Sequence, residues 1–282
     1  MYHILVAGAG YTGGAVARFF AGKKQKVYAL ARSPEKAARF AGQGIVPLVM
    51  DLTKPETLET LPPAHFVVVA AAPDERTEAA YRQVYLEGVK NLLDALKKNP
   101  KPFLIVYLSS TGVWPDQGGA WIDEMVPAAP DTERGRILLK AEEQVLCSGY
   151  PAVVLRLAGI YGPGRSRLAA LQKMQASPPE DPRWMNLIHV EDIARAMPVI
   201  FNKAEAGSII AAADDEPVLS PVFYAWLAEA AGRSVCAQFT AKPPSGKRIQ
   251  NARLKALDFS FQYPTFREGY RGLIAAEGQT HA

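Results

Sequence analysis

The sequence predicts an α/β fold, a Rossmann-like doubly wound parallel sheet with a smaller mixed α/β lobe at its C-terminal end, and two observations carry that prediction. Apolar runs without polar alternation recur between helix-length amphipathic segments, and the first run empties into a glycine-rich turn that leads straight into a helical stretch. Continuous Val, Ile, Leu and Ala mark strands covered on both faces, as in a parallel sheet. Their alternation with helices is the order of doubly wound domains.

The first strand, residues 3–7, runs into Gly8, Gly10 and Gly13, spaced G-x-G-x-x-G, and a helix-compatible run over residues 15–20 follows. A buried strand, a glycine turn and a helix together form the context of a dinucleotide-binding fingerprint. Gly8 permits the tight turn, Gly10 lets backbone approach a pyrophosphate, and Gly13 lets the helix pack on the strand. Tyr11 and Thr12, at the helix start, join the cofactor set, because free N–H groups and the positive dipole end face the anion there.

The second strand, residues 26–31, ends in Arg32 and Ser33, with no carboxylate before Glu35. An acidic residue there would accept from the ribose 2′-hydroxyl of NAD, whereas Arg accommodates the 2′-phosphate of NADP, so NADP is favoured over NAD. A helix over 34–40 and a strand over 45–50 follow. Asp51 and Leu52 then stand where an adenine edge would lie, although Asp51 serves equally as an N-cap for the segment at 55–60. The strand over 65–71 leads into Ala70, Ala71 and Ala72, small enough for a cofactor to lie over the sheet edge. A helix over 75–98, a strand over 103–109 ending in Ser109, a helix over 132–148 and a strand over 152–157 complete the core. Ser109 joins the cofactor-binding residues.

Beyond Arg156 the pattern changes to short strands near 185–188 and 208–212, helices at 190–202 and 221–231, a Pro-rich piece at 177–182, and a loop and tail ending at 266–276. The sequence therefore reads as one extended domain over residues 1–282, a dinucleotide-binding core over 1–157 and a lobe mainly for substrate over 158–282. No flexible linker separates the two.

Composition narrows the function. Hydrophobic residues make up 49% and charged residues 21%, ordinary values for a globular protein. No apolar run reaches the 18 or so residues of a membrane span. A signal peptide is not expected, since the glycine motif occupies the first 20 residues, and a cytoplasmic location is the expectation. The net charge of +4 is scattered, which argues against nucleic acid. The basic excess near the end (Lys247, Arg248, Arg253, Lys255, Arg267, Arg271) reads as a solvated face, with an anionic substrate as the other use. Cys147 and Cys236 lie far apart and outside any metal-ligand spacing, so two reduced thiols and no metal site are expected.

Several segments resemble the extended and atypical short-chain dehydrogenases of the NAD-dependent epimerase/dehydratase family. They are G-A-G-Y-T-G from Gly8, V-Y-L-E-G-V-K-N-L-L-D-A from Val84, V-Y-L-S-S-T-G-V-W from Val106, L-R-L-A-G-I-Y-G-P-G-R from Leu155 and N-L-I-H-V-E-D-I-A from Asn186. The resemblance implies a Ser holding the substrate oxygen, here Ser110, and a Tyr general acid with a Lys four residues on, one helix turn away on the same face. Aligned without gaps on Pro130, Asp131, Thr132, Gly135, Arg136, Glu142 and Glu143, the chain carries Arg134 at the Tyr position and Leu138 at the Lys position. Aligning Lys140 instead would turn the residue by about 200° around the helix. Tyr85 stands at the place of the family's helper Asn, and Ala7 replaces the first glycine of the extended motif.

A guanidinium keeps its proton, with a pKa above about 12, so Arg134 is a poor proton donor and a good clamp for an oxyanion, carboxylate or phosphate. The expected catalytic set is therefore Ser110, Arg134 and Tyr161, with Tyr161 or a water handling the proton. Tyr85, Trp114 and Arg165 resemble substrate-pocket positions. His189 reads as a helix cap rather than a ligand or base. The expected activity is an NADP(H)-dependent oxidoreductase or isomerase on a small, anionic substrate, with a catalytically inactive dinucleotide sensor as the alternative. Apolar stripes on the 75–98 helix (Tyr81, Val84, Tyr85, Val89, Leu92, Leu93) and the 132–148 helix fit a homodimer or packing on their own sheet.

Overall fold

The glycine-linked strand and helix at the N-terminus organise the first of two compact units. The computed structural model describes residues 1–168, 171, 181–233 and 242–280, with the backbone alone for 277–280. Strands β1 (His3–Ala7), β2 (Lys26–Ala31), β3 (Ile45–Val49), β4 (Phe66–Val69), β5 (Leu104–Ser110), β7 (Ala152–Leu157) and β11 (Ile209–Ala212) form a seven-stranded sheet in the order β11-β7-β5-β4-β1-β2-β3. The pairs β1/β2, β1/β4, β2/β3 and β4/β5 are parallel, with Val6 opposite Ala29 and Val68. The order reverses beside β1, and doubly wound sheets bind ligands at such a switch point.

Helices α1 (Tyr11–Gly22), α2 (Pro34–Ala38), α3 (Glu78–Tyr81), α4 (Val89–Leu96) and α5 (Glu133–Leu146) connect these strands. The segment expected to be helical at 55–60 forms only a 3₁₀ turn, Pro55–Leu58. Between α3 and α4 the backbone widens into a π-helix, Arg82–Gly88, a form found often at functional sites. Val84, Val89, Leu92 and Leu93 are buried, and the last three join Tyr107, Ala141 and Val145 in one core. Of the stripe offered for a dimer or for packing, these four are thus buried within the chain, while Tyr81 and Tyr85 are partly exposed.

One division between the units falls at Arg156/Leu157, beside the expected boundary, and two further segments cross it. Unit one comprises Met1–Trp114, Ala128–Arg156 and Ile193–Ile210, and unit two Pro115–Pro127, Leu157–Asp192 and Ala211–Ala282. The reason is topological: the helix α6 (Val190–Lys203) returns the chain to β11, which bonds to β7, as in Val154 N to Ser208 O at 3.0 Å. Unit two carries three two-stranded pairings: β8 (Gly159–Tyr161) with β10 (Leu187–His189), β9 (Trp184–Met185) with β12 (Val218–Leu219), and β6 (Trp121–Ile122) with β13 (Arg248–Ile249). Among the described residues its helices include α7 (Ser220–Ala230), α8 (Ala252–Ala256) and α9 (Phe266–Thr280), the last where a tail was expected. Tyr161, Phe223, Phe266 and Tyr270 form its core. Most of the Pro-rich piece and Cys236 fall outside the described residues, and Cys147 is exposed and free.

Candidate active site in the first unit

The three fingerprint glycines do different work. Gly8 has φ +99°, and a Cβ there would sit 2.4 Å from Ala71 Cα, so the turn passes against the end of β4 with no room for a side chain. A Cβ on Gly13 would lie 2.1 Å from Gly8 O and 3.1 Å from Ala70 Cβ, so α1 packs against the turn it follows. Gly10 differs: φ is −77° and a Cβ would meet nothing within 4 Å. No neighbouring atom requires glycine at that position. Gly10 is also the N-cap of α1 and offers no capping side chain to the first turn, which includes Tyr11 and Thr12. A clear space at the N-terminus of a helix after a glycine turn fits a dinucleotide diphosphate.

The ends of β2, β3 and β4 carry the residues expected on the adenosine side. Ser33 caps α2 by accepting from Lys36 N at 3.4 Å. Arg32 Nη2 lies 2.5 Å from Asp74 Oδ2, and Lys36 Nζ approaches the same oxygen at 3.4 Å. Those cations hold the Asp74 carboxyl below its usual pKa. Asp51 Oδ1 accepts from Thr53 N at 3.0 Å and from Thr53 Oγ1 at 2.8 Å, closing its own turn, while the N-cap of the 3₁₀ turn is Lys54, with no side-chain cap bond, so Asp51 does not cap that segment as expected. The Leu52 side chain is buried, while its carbonyl accepts from Asn91. Ala70 and Ala71 are half-buried and Ala72 is exposed.

Ser109 and Ser110 separate at the end of β5, as strand alternation requires. Ser109 is buried and its hydroxyl donates to Glu142 Oε1 at 2.5 Å, while Arg156 grips the same carboxylate through Nε at 3.1 Å and Nη2 at 2.7 Å. The Arg156 guanidinium also lies over the Trp114 ring, 4.4 Å from its centroid. Two sequence expectations change here: Ser109 is a structural rather than a cofactor residue, and Trp114, 1% exposed, belongs to the core rather than a substrate pocket. A charged residue in the apolar run V-V-L-R-L was the signal that a buried carboxylate had to answer it.

Ser110 is half-buried and accepts from Gly112 N at 3.0 Å, which leaves its O–H proton uncommitted by that bond. The following turn is pinned to α5. A Cβ on Gly135 would lie 3.0 Å from Gly112 O and 2.6 Å from Pro130 Cβ, so only glycine lets the helix start so close to it. Thr132 caps that start, accepting from Gly135 N at 3.1 Å. Arg134, in the first turn of α5, is exposed, with its guanidinium 5.9 Å from the centroid of Tyr81. Leu138, one turn on, is 8% exposed. Tyr85, in the π-helix, packs on Tyr81 with centroids 5.2 Å apart, and burial, reinforced by Tyr81, pushes its pKa up to about 12.

Tyr161 lies in the second unit and does not have the character of an acid catalyst. It is 2% exposed, stacks on Tyr270 at 4.9 Å and donates to Thr265 O at 3.5 Å, and burial followed by Asp214 drives its pKa far above the usual value. The proton-transfer expectation for Tyr161 is replaced by a packing role. His189 caps α6 as expected, its Nδ1 accepting from Glu191 N at 3.3 Å. Arg165 is exposed in a turn closed by reciprocal bonds with Gly162 at 3.1 and 2.9 Å. Among the terminal cations, Arg248 lies between the rings of Trp121 and Trp184, and Lys255 and Arg267 pair with Asp215 and Glu216. Among the described residues no group of His, Cys, Asp and Glu is arranged to hold a metal, and no helix is long and apolar enough to cross a membrane.

The model of the NAD dependent epimerase/dehydratase family matches residues 4–212. The protein YeeZ of Escherichia coli K12 is 31% identical over 186 residues, 64% of this chain, and the match spans 66% of the length of that curated relative. A putative NAD-dependent epimerase/dehydratase from Methylobacillus flagellatus has a structure similar to this one, with 31% identity, a TM-score of 0.83 and 98% of each chain covered. A short-chain dehydrogenase/reductase superfamily protein from Agrobacterium tumefaciens, solved with bound NAD, shares the fold at 18% identity, with a TM-score of 0.82 over 100% of this chain and 98% of that one.

Proposed function

This chain belongs to the NAD dependent epimerase/dehydratase family, and from that premise we propose that it is an NADP(H)-dependent oxidoreductase or isomerase acting on a small anionic substrate. The observation that carries the reading is the contrast among the glycines: Gly8 and Gly13 are locked by contacts, while Gly10 faces open space where a diphosphate backbone would lie. Gly8, Gly10, Tyr11, Thr12 and Gly13 would hold the diphosphate. Arg32, Ser33 and Lys36 would hold the ribose phosphate, and Ala70, Ala71 and Ala72 would border the sheet-edge path. The nicotinamide, when bound, donates or accepts hydride. Ser110 donates to the substrate oxygen, and the permanently charged Arg134 clamps the anionic group or a developing oxyanion. With Tyr161 buried, a water supplies or takes the proton of the substrate oxygen that Ser110 positions.

Calorimetric titration with NADPH, NADP, NADH and NAD, with Arg32→Asp alongside, tests the cofactor half. NADP(H) is expected to bind tightest, and the variant to lose that preference; absence of binding by all four refutes the proposal. For the substrate half, dinucleotide turnover is followed over small phosphorylated and carboxylated carbonyl compounds and their neutral analogues. Arg134→Ala is expected to raise KM for the anions by at least about tenfold, the loss of one charge-assisted contact. Equal effects on neutral analogues would remove Arg134 from the substrate site.

One observation favours a second reading, a dinucleotide sensor without turnover. Leu138 is 8% exposed where the family resemblance implies a Lys, so this position cannot tune a proton donor. Substrate-dependent turnover by the purified protein would refute the sensor.

A further inference from the structure

Two cations and one carboxylate converge at the end of β2, and that convergence makes Asp74 a candidate for setting cofactor selectivity. Asp74 Oδ2 lies 2.5 Å from Arg32 Nη2 and 3.4 Å from Lys36 Nζ. The two cations come from the β2 end and α2, the carboxylate from the loop after β4, 42 and 38 residues further along the chain. A carboxylate oxygen held by a guanidinium and an ammonium is the arrangement a phosphate oxygen takes. The Asp74 side chain is 67% exposed and Arg32 36% exposed, so the pair opens to solvent without disturbing the core.

We propose that Asp74 occupies the place of the ribose 2′-phosphate, so that NADP(H) binds by exchanging the Arg32–Asp74 ion pair for an Arg32–phosphate pair while NAD(H) leaves it closed. This rests on the dinucleotide reading given above and adds the residue that narrows its phosphate preference. The cost falls on the phosphorylated cofactor twice: Arg32 must release a bound carboxylate, and the released charge stays near a dianionic group. An exposed pair is worth little, so Asp74 tunes selectivity and does not abolish binding. Glu35 supplies an internal control, being an exposed carboxylate on α2 whose hydrogen-bond partner is Ser33.

The experiment measures dissociation constants of 2′,5′-ADP, 5′-AMP, NADPH and NADH at fixed low ionic strength for the wild-type chain, Asp74→Ala, Glu35→Gln, Arg32→Ala and the Arg32→Ala/Asp74→Ala pair. Asp74→Ala is expected to tighten 2′,5′-ADP and NADPH by roughly three- to fivefold, the size of one exposed ion pair. NADH and 5′-AMP should change by less than about twofold, the gain should vanish in the Arg32→Ala background, and added salt should reduce it. Unchanged or weaker NADPH binding by Asp74→Ala overturns the proposal, since Asp74 would then orient Arg32 or do nothing. Equal tightening of NADH, or an equal effect of Glu35→Gln, overturns it in favour of general surface charge. Failure of every variant and the wild type to bind any dinucleotide overturns the fingerprint reading itself, and this inference with it. NADPH binding with an inert Asp74 leaves the fingerprint standing.

Discussion

Replacing each fingerprint glycine by alanine separates fold from function. At Gly8 the new Cβ meets Ala71 Cα at 2.4 Å in a backbone with φ +99°. The left-handed conformation alone costs about 1–2 kcal/mol, and backbone of β4 must shift as well. Gly13→Ala sets a Cβ 2.1 Å from Gly8 O and forces α1 off the turn. Both variants should lose at least about 2 kcal/mol, a fall in Tm of roughly 4–8 °C for a chain of this size. At Gly10, φ is −77° and ψ −146°, and a Cβ would meet no atom within 4 Å, so Gly10→Ala forces no contact. Its stability should stay within about 1 kcal/mol of wild type. Its NADPH affinity should fall at least about tenfold, or 1.4 kcal/mol, because the methyl group enters the space claimed for the diphosphate. Thermal unfolding and calorimetry on the same preparations read both quantities. A Gly10→Ala protein that binds NADPH like wild type would refute the placement of the diphosphate, and a Gly8→Ala protein of wild-type Tm would refute the close approach.

The remaining predictions concern the buried charges. Glu142→Ala leaves the 3%-exposed Arg156 without its carboxylate and should cost about 3–5 kcal/mol, read as a lowered urea midpoint; an unchanged midpoint would mean Arg156 finds another acceptor. Burial holds the pKa of His189 below its usual value, against a smaller opposing pull from Glu191. Below about pH 6.5 the unfolded chain therefore binds the proton that the folded one excludes. Stability from this group is intact above that pH and is lost as pH falls toward the lowered folded value. His189→Gln should flatten the fall in Tm between pH 7 and 5.5, and an unaltered slope would assign the acid sensitivity elsewhere.

What could be read from the sequence was local. A strand, a turn and a helix are neighbours in the chain, so β1, the glycine turn and α1 announced themselves within twenty residues, and β2 and β7 fall where the apolar runs place them. His189 as a cap is equally local. Short elements were missed where no period has room to show: β8 is three residues long and the helix expected at 55–60 is a single 3₁₀ turn. α9 stands where the sequence reads as a tail, although Phe266, Tyr270 and Leu273, spaced four and three apart, are its buried face.

What could not be read was pairing across the chain, and at this site pairing decides chemistry. Ser109 and Ser110 are adjacent in sequence, yet strand alternation sends Ser109 to Glu142, 33 residues away, while Ser110 bonds within its own turn to Gly112 N. Trp114 resembled a pocket residue until Arg156, 42 residues on, was found over its ring. The same network explains why the first turn of α5 can carry an unusual residue. Glu142, two turns along, is fixed by Arg156 and Ser109, and Gly135 is fixed by Gly112, so the helix is anchored whatever stands at position 134. Arg134 is therefore not demanded by the fold. Its exposed guanidinium lies over the Tyr81 ring, on a helix that does not need it, and the proposed role in selecting substrate charge falls on a position free to vary.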